Sequence, residues 1–236
     1  MLSLFTFTTE PGPCGYLPDR DWSLNYEIVG ELTPLEYQER LKAGWRRFGF
    51  SLFRPACPSC RMCLSLRVPV ETFRPDRSQR RAMTANDAVQ LVVGRPEATR
   101  EKLKLYDRFH DYQHAAKGWP HDGPASAADY VESFVDHPFP TEEWCYYREE
   151  RLIGVGYVDV LPEAMSAIYF YYEPNERAAS PGTFNVLSIL RAAAARGIPP
   201  VYLGYFVAGC RSLEYKARFR PNEVLSESGD WRPFQS

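Results

Sequence analysis

Three cysteines at intervals of three residues are the clearest chemical pattern in the chain. Cys57, Cys60 and Cys63 form C-x-x-C-x-x-C, so their thiols can converge around one tight turn. Cys14, in a second loop, is able to supply a fourth thiolate. Four thiolates suit tetrahedral zinc or an iron–sulfur cluster. The pattern predicts a metal set of these four residues, and the alternative is a group of buried thiols that pack as small hydrophobes.

Two basic segments indicate a partner rich in phosphate. The first contains Arg77, Arg80 and Arg81 on a short predicted helix, and the second interleaves Lys216 and Arg218 with aromatic Phe219. Alternation of cations with aromatic rings is typical of contacts to single-stranded nucleic acid. A solvated basic surface remains the alternative for either segment alone.

The charge distribution along the chain favours the same interpretation. The whole sequence has 28 basic and 30 acidic residues, for a net charge of −2. Residues 40–104 alone hold 15 basic and 5 acidic residues. A near-neutral protein can therefore present one face that attracts a polyanion, unless folding disperses this cluster.

A loop that enters a predicted helix offers a third anion site. Residues 177–183 read Arg-Ala-Ala-Ser-Pro-Gly-Thr. Ser180, Gly182 and Thr183 would present hydroxyl and backbone N–H groups where a phosphate can bind. The loop also resembles an acyl-CoA pyrophosphate loop in which Ser180 replaces the first glycine.

Length and composition bound the class of protein. With 236 residues, 44% hydrophobic and 25% charged, the chain is expected to fold as one large domain or two small ones and not to be disordered. No apolar run approaches the ~20 residues that a membrane helix needs. The first ten residues lack the pattern of a signal peptide. We therefore expect a cytoplasmic protein with no membrane partner.

The periodicity of apolar residues predicts an α+β fold. Thr33-Pro34-Leu35-Glu36 is a capping box that should begin a helix. Strand-like alternation is present over 46–54 and 63–70, and further helices are predicted over 74–83, 97–116 and 127–135. The second half predicts three successive strands, a helix over 183–195, the strand 201–206 and a last helix near 211–217. This order is typical of a mixed sheet domain.

Several longer motifs carry a resemblance to a known family. They read CGY, GWRRFGFSLFRPACPSCRMC, LRVPV, PDRSQRR, YFYYEP, SPGTFNVLSILRAA and YLGYFVAGCRSLEYKARFRPNE. Together, in this order, they closely resemble the aminoacyl-tRNA–protein transferases of the bacterial leucyl branch. The resemblance implies transfer of leucine from leucyl-tRNA to the α-amino group of proteins that begin with Asp or Glu, which creates an N-degron for proteolysis.

The resemblance also implies a domain organisation. We expect a smaller cysteine-containing α+β region over residues 1–70, followed by a GNAT-like acyltransferase domain over 71–236. One departure concerns the metal, because the arginyl branch has CGYC where this chain has Leu17. The triplet of cysteines would compensate for that missing thiol.

The implied reaction needs no cofactor, because the aminoacyl ester is already activated. The enzyme must hold amine and ester together, move one proton and stabilise an oxyanion. We predict Asp159, Tyr172 and Tyr205 as the catalytic residues, although Asp159 is also a typical strand-end residue and both tyrosines are also typical packing residues.

Recognition of the two substrates is assigned to the cationic and loop residues. An acidic acceptor side chain needs a cation, for which Arg77, Arg80 and Arg81 are candidates, with Lys216 second. The same side chains are candidates for the tRNA acceptor stem, with Ser180, Gly182 and Thr183 near its 3′ end.

Three rival functions remain open at this point. They are an arginyl transferase acting on the same acceptors, a CoA-dependent N-acetyltransferase, and a non-catalytic thiolate–metal module that binds nucleic acid.

Overall fold

The computed structural model describes residues 1–120 and 123–234 and contains two main β-sheets with helices packed on them. The strands are β1 (Leu2–Thr8), β2 (Gly12–Pro13), β3 (Asp21–Trp22), β4 (Leu24–Glu31), β5 (Arg46–Phe48), β6 (Ser51–Pro55), β7 (Leu64–Pro69), β8 (Gln90–Gly94), β9 (Thr141–Arg148), β10 (Arg151–Leu161), β11 (Ala164–Tyr172), β12 (Pro200–Phe206), β13 (Glu223–Leu225) and β14 (Trp231–Pro233). The helices are α1 (Pro34–Lys42), α2 (Arg77–Ala85), α3 (Arg100–Lys117), α4 (Ala127–Phe134), α5 (Pro181–Arg196) and α6 (Arg211–Glu214), with 3₁₀ helices at Pro174–Ala179 and Tyr215–Arg218.

The first sheet is antiparallel, in the order β1-β4-β6-β5, and α1 packs against it. The predicted capping box begins α1: the Thr33 side chain accepts from the backbone N–H of Glu36, and the Glu36 side chain accepts from the backbone N–H of Thr33. The helix ends at Lys42 with Ala43 as its C-cap, and Gly44 follows with φ of 83°. Tyr37 and Leu41 are buried on its inner face, in a core shared with the second sheet.

The second sheet has eight strands in the order β14-β13-β7-β12-β11-β10-β9-β8. Its neighbours are antiparallel except for β11 and β12, which run parallel and are in register only at Met165–Val201 and Ser166–Tyr202. Beyond these two pairs the strands separate. Beyond the paired positions, the backbone N–H and C=O groups that face the other strand can bond to side chains instead. We call this gap between the two strands the β11–β12 opening.

The predicted boundary at residue 70 does not separate the two sheets. β7 lies before that residue, yet it pairs with β12 along its length and also with β13. The region that precedes residue 70 thus supplies an inner strand of the large sheet.

Helices cover the large sheet and form its main cores. The inner face of α5 packs Val186, Ile189 and Leu190 against the strands. This contact is close, because a Cβ on Gly156 would lie 2.9 Å from Oδ1 of Asn185. α3 and α4 pack with Leu105, Phe109 and other apolar side chains on another part of the sheet.

The predicted elements are found, with shifted ends. The single strand predicted over 46–54 is divided into β5 and β6, with Gly49 at φ of 52° between them. The helix predicted from residue 183 begins at Pro181, and the strands β1 to β4, β13 and β14 were not predicted. Within the described residues, no helix is long and apolar enough to cross a membrane.

Candidate active site

A groove with a volume of about 710 Å³ opens at the β11–β12 opening. Its walls come from β11, the first turn of α5, the end of α3 and the segment 211–216. Five of the predicted site residues line it, namely Tyr172, Ser180, Gly182, Thr183 and Lys216. The structure therefore unites residues that the sequence separates into three segments.

The first turn of α5 faces the groove without a side-chain cap. Ser180 holds the N-cap position in the left-handed region, at φ of 56°, and its side chain makes no capping hydrogen bond. A Cβ on Gly182 would meet no atom within 4 Å, so there is room in front of this turn. Free backbone N–H groups and the helix dipole favour an anion here.

The groove is basic. Its described lining residues include Lys117, Arg177, Arg211 and Lys216 but no aspartate or glutamate. An excess of cations in a concave, partly desolvated surface attracts phosphate or carboxylate groups.

One end of the groove is an aromatic corner. The ring centroids of Phe109 and Tyr172 lie 5.1 Å apart, and those of Phe109 and Trp119 lie 6.2 Å apart. Gln113 lies beside them, 2% exposed, and its Oε1 has no hydrogen-bond partner in the described structure. The corner combines apolar walls with one unsatisfied acceptor, which is the composition of a pocket for an apolar group that carries an amine.

Lys216 reaches the β11–β12 opening from the groove. Its Nζ donates to the carbonyl of Tyr205 at 3.1 Å. Burial, and after it the nearby Arg46 guanidinium, lower the pKa of Lys216 from 10.5 to about 7, whereas Cys210 opposes the shift. The amine is thus divided between its charged and neutral forms near neutral pH.

Asp159, which was predicted as a catalytic residue, does not line the groove. Its side chain is fully buried between the two sheets and accepts four hydrogen bonds. The donors are Nε and Nη2 of Arg47 at 2.7 and 2.5 Å, the Tyr37 hydroxyl at 2.8 Å and the Thr141 hydroxyl at 2.6 Å. A carboxylate that accepts four hydrogen bonds from both sheets holds the sheets together.

The four predicted ligands Cys14, Cys57, Cys60 and Cys63 border one small cavity of about 20 Å³. Burial raises the pKa of Cys63 to about 12, and the neighbouring Cys57 adds to this effect. Within the described residues, however, no three His, Cys, Asp or Glu side chains are placed to hold one ion. The donor chemistry suits a thiophilic metal, but the side chains do not converge, so the metal set stays a prediction.

Tyr205, predicted as catalytic, lines the cysteine cavity and not the groove. Its hydroxyl donates to the carbonyl of Gly44 at 3.0 Å. Tyr16 borders both the cavity and the groove, so the loop that carries Cys14 separates the two.

The predicted arginines of α2 lie outside the groove. Arg77, Arg80 and Arg81 are exposed, and so is Arg218. α2 is fixed to the segment beside Lys216, because Nε2 of Gln79 donates to the Arg218 carbonyl at 3.0 Å. These cations therefore form a surface next to the groove and not part of its wall.

Sequence reasoning missed Arg46, Phe109, Gln113, Lys117, Trp119 and Arg211, and it did not select Arg177 from the loop that it quoted. Phe109 and Gln113 are four residues apart on a helix, which places them on one face. That spacing was available from the sequence. No local signal marks Arg46, because its neighbours at the opening come from distant segments.

Two solved structures share the fold of the chain. The C-terminal domain of a putative lysylphosphatidylglycerol synthetase from Agrobacterium fabrum matches with a TM-score of 0.51 and 14% identity, over 86% of this chain. This chain spans 64% of the length of that structure. FemX matches with a TM-score of 0.50 and 8% identity, over 91% of this chain and 84% of the other. The predicted α+β, GNAT-like fold is confirmed.

Relatives by sequence are aspartate/glutamate leucyltransferases. One from Campylobacter jejuni strain 81-176 is 34% identical over 222 residues, 93% of this chain and 92% of its own length. One from Helicobacter hepaticus is 31% identical and covers 97% of this chain and 95% of its own length. One from Pseudomonas savastanoi is 33% identical and covers 93% of each.

The same assignment follows from family comparison. Residues 12–81 match the N-terminal part of arginine-tRNA-protein transferase, and residues 101–226 match its C-terminal part. The second match contains the groove residues of β11, α5 and the segment after β12. The chain belongs to the arginine-tRNA-protein transferase family and is an aminoacyl-tRNA–protein transferase.

Proposed function

We propose that this chain transfers leucine from leucyl-tRNA to the α-amino group of proteins that begin with Asp or Glu. The observation that carries the proposal is a basic groove with an apolar aromatic corner at one end and an uncapped helix N-terminus beside it. Because the donor is a charged tRNA, we propose that the reaction takes place in the cytoplasm. The product carries an N-terminal leucine, which is an N-degron.

The 3′ end of the tRNA is assigned to the basic side of the groove. The uncapped turn at Gly182 and Thr183 binds a terminal phosphate, and Arg177 and Lys117 neutralise the charge beside it. The exposed arginines of α2 continue this positive surface and contact the acceptor stem. Such contacts are independent of sequence and weaken with salt.

The leucyl group is assigned to the aromatic corner. Phe109, Trp119 and Tyr172 supply apolar surface for a branched aliphatic side chain. The orphan Oε1 of Gln113 accepts a hydrogen bond from the leucyl amine. An arginyl side chain would leave its guanidinium without an acidic partner, since no described lining residue of the groove is acidic.

The chemistry is a direct aminolysis of the ester. The nitrogen of the acceptor amine forms a bond to the leucyl carbonyl carbon, and the bond from that carbon to the ribose oxygen breaks. The proton lost by the amine passes to the departing ribose oxygen, which leaves as the free hydroxyl. Burial raises the pKa of the Tyr172 hydroxyl, so it stays protonated and able to donate to the developing oxyanion. The groups named here need no cofactor for this step.

We also propose a structural metal at the four cysteines, zinc or an iron–sulfur cluster. Its binding requires the side chains of Cys14, Cys57, Cys60 and Cys63 to rotate into the cavity that they border. Metal analysis of protein purified without oxygen tests this, with the isolated Cys145→Ser variant as control. Loss of stoichiometric metal in Cys60→Ser alone supports the set, and wild-type protein that retains no metal removes it.

The experiment that tests the transfer uses labelled leucine or arginine, each supplied on its own tRNA. Acceptor proteins begin with Asp, Glu or Ala and are otherwise identical. Leucine on the Asp and Glu proteins alone supports the proposal. Arginine on those proteins changes the donor, and no transfer from either tRNA overturns the proposal.

A further inference from the structure

The helix that faces the groove begins differently from the four long helices before it. α1, α2, α3 and α4 each begin after an N-cap residue in the extended conformation, whose side chain accepts a hydrogen bond from a backbone N–H of the first turn. Serine is also a favourable N-cap residue. Ser180 nevertheless holds φ of 56° and ψ of 54° at the start of α5, and within the described structure its side chain makes no such bond.

The left-handed conformation of Ser180 is unfavourable for the backbone but useful for a ligand. A residue other than glycine is strained in this region and stays there only where the surrounding contacts fix it. In the extended conformation, the Ser180 hydroxyl would cap the first turn of α5 and compete with an anion for the same N–H groups. The observed conformation therefore keeps this turn available to an anion.

The peptide groups on both sides of Ser180 are fixed by hydrogen bonds. On one side, the Ala179 carbonyl accepts from Nδ2 of Asn86 at 2.7 Å, and the N–H of Ser180 donates to the Arg177 carbonyl at 3.1 Å. On the other side, the Ser180 carbonyl accepts from the N–H of Phe184 at 3.0 Å. Because φ and ψ describe how these two peptide groups are oriented, the bonds hold Ser180 in the left-handed region. Asn86 is the partner that comes from a distant segment, 93 residues before Ala179.

Asn86 is itself held rigidly. It is the C-cap residue of α2 and is 2% exposed. Its Nδ2 also donates to the Ala82 carbonyl at 2.8 Å, and its Oδ1 accepts from Nη2 of Arg148 at 3.3 Å. Arg148 in turn pairs with Glu176, in the 3₁₀ helix that precedes Ser180. A buried amide with its nitrogen and its oxygen both engaged imposes its geometry on the loop that it contacts.

We infer that Asn86 is a positioning residue for the aminoacyl-tRNA. Through the Ala179 carbonyl it holds Ser180 in the left-handed conformation, and so it keeps the first turn of α5 open to a phosphate of the tRNA. This inference rests on the proposed function, which assigns the 3′ end of the tRNA to that turn. The groove has a second feature of a ligand site, because Gln113 is buried in its wall and the Oε1 of that side chain has no partner in the described structure. Asn86 also ends the helix whose exposed arginines are assigned to the acceptor stem, so the same bond sets the distance between the two tRNA-binding surfaces.

Binding of uncharged tRNA measures this role without the transfer reaction. Wild type and Asn86→Ala are titrated with the tRNA over a range of salt concentrations. We expect Asn86→Ala to weaken binding by roughly tenfold and to lower the slope of log affinity against log salt by about 0.7–0.9, as for the loss of one phosphate contact. Gln38→Ala is the matched control, since it removes another buried amide with two hydrogen bonds, from α1 to Glu163. Wild-type affinity of folded Asn86→Ala overturns the inference.

A substitution at Ser180 separates positioning from a general loss of stability. Ser180→Gly removes the strain of the left-handed conformation and also the hydroxyl that would cap the turn. We therefore expect Asn86→Ala combined with Ser180→Gly to bind tRNA within about threefold of Ser180→Gly alone. Glycine does not restore the lost bonds of Asn86, so recovered binding is not explained by recovered stability. A double variant that stays roughly tenfold weaker than Ser180→Gly overturns the inference.

Asn86→Asp covers the case in which Asn86→Ala does not fold. It keeps the size of the side chain and an oxygen that faces Arg148, but it offers the Ala179 carbonyl no N–H donor. We expect the same weakening of tRNA binding, by roughly tenfold, and the same recovery with Ser180→Gly. Wild-type affinity in Asn86→Asp counts against the positioning role.

Transfer kinetics separate this inference from the proposed function. With leucyl-tRNA as donor, Asn86→Ala should raise KM for the tRNA and leave KM for the acceptor protein unchanged. If wild type transfers no leucine, but tRNA binding depends on Asn86 and recovers with Ser180→Gly, the proposed reaction fails and the positioning role stands. If wild type transfers leucine and Asn86→Ala keeps the wild-type KM for the tRNA, only the positioning role fails.

Discussion

Arg47 and Asp159 form a bidentate ion pair between the two sheets, with distances of 2.7 and 2.5 Å and no more than 1% exposure of either side chain. Arg47 lies in β5 and Asp159 near the end of β10, so the pair joins the N-terminal sheet to the transferase sheet. Buried pairs of this kind cost much desolvation energy and are sensitive to the loss of one partner.

Asp159→Asn should therefore reduce stability and not chemistry. We expect a loss of about 3–5 kcal/mol in the free energy of unfolding, because the Arg47 charge stays buried without its partner. Urea unfolding measures this loss, and Arg196→Gln, which breaks an exposed pair with Glu142, should cost under about 1 kcal/mol. At low temperature, the folded Asp159→Asn protein should keep the transfer rate. A rate that falls by orders of magnitude in folded protein would restore Asp159 as a catalytic residue.

Arg177→Gln tests the contact to the tRNA. The side chain borders the uncapped turn of α5, so its loss should raise KM for leucyl-tRNA and leave KM for the acceptor protein unchanged. The slope of log affinity against log salt should fall by about 0.7–0.9, as expected for one phosphate contact. Binding measured from low to moderate salt gives this slope. An unchanged slope would remove Arg177 from the tRNA site.

Trp119→Ala tests the donor pocket. Trp119 is a half-buried loop residue in the aromatic corner, and its removal should leave the core intact. We expect kcat/KM for leucyl-tRNA to fall roughly 10–100-fold, because apolar contact with the leucyl side chain is lost. Affinity for uncharged tRNA serves as the control and should not change. Equal loss for charged and uncharged tRNA would place Trp119 on the nucleic acid instead.

Lys216→Met should stabilise the protein in a pH-dependent way. The folded pKa of about 7 lies below the ordinary value of 10.5, so folding penalises the charged amine. This penalty is fully present below about pH 7, shrinks as pH rises and is absent above about pH 10.5. The charged and titratable groups that face the amine are Arg46 and Cys210.

We therefore expect Lys216→Met to raise the free energy of unfolding by roughly 2–4 kcal/mol at pH 6 and by less at pH 10. The expected value is below that of a fully buried amine because the side chain contacts the groove. The variant loses the hydrogen bond to the Tyr205 carbonyl at both pH values. The difference between the stability changes at pH 6 and pH 10 therefore reports the charge of the amine alone. Equal gains at both would show that the amine is not strained by burial.

Elements with local signals were predictable from the sequence. The capping box at Thr33 and the apolar periodicity of the helix that begins at Pro181 gave the correct elements, because both depend on neighbours within one or two turns. β1 alternates polar and apolar residues, but all of its side chains are exposed at a sheet edge, so the alternation does not correspond to a core.

The site was predictable only in part. Ser180, Gly182 and Thr183 lie in one continuous loop before a helix, so the sequence alone predicts an anion site there. The ion pair of Asp159 was not predictable, because its partner Arg47 is 112 residues away and a buried ion pair leaves no local trace. Arg46 was not predictable for the same reason. It lies near Lys216 only in the folded structure, at the β11–β12 opening.

The position of β7 has a consequence for how the chain leaves the ribosome. Leu64–Pro69 is synthesised early, but its partners are Pro200–Phe206 and Glu223–Leu225. β7, which contains leucine and valine, therefore has no partner strand until more than half of the remaining chain has been synthesised. During that time the N-terminal sheet can form but the groove cannot. A newly made chain is thus inactive until its last fifth has emerged, because the groove forms only after these distant strands have paired.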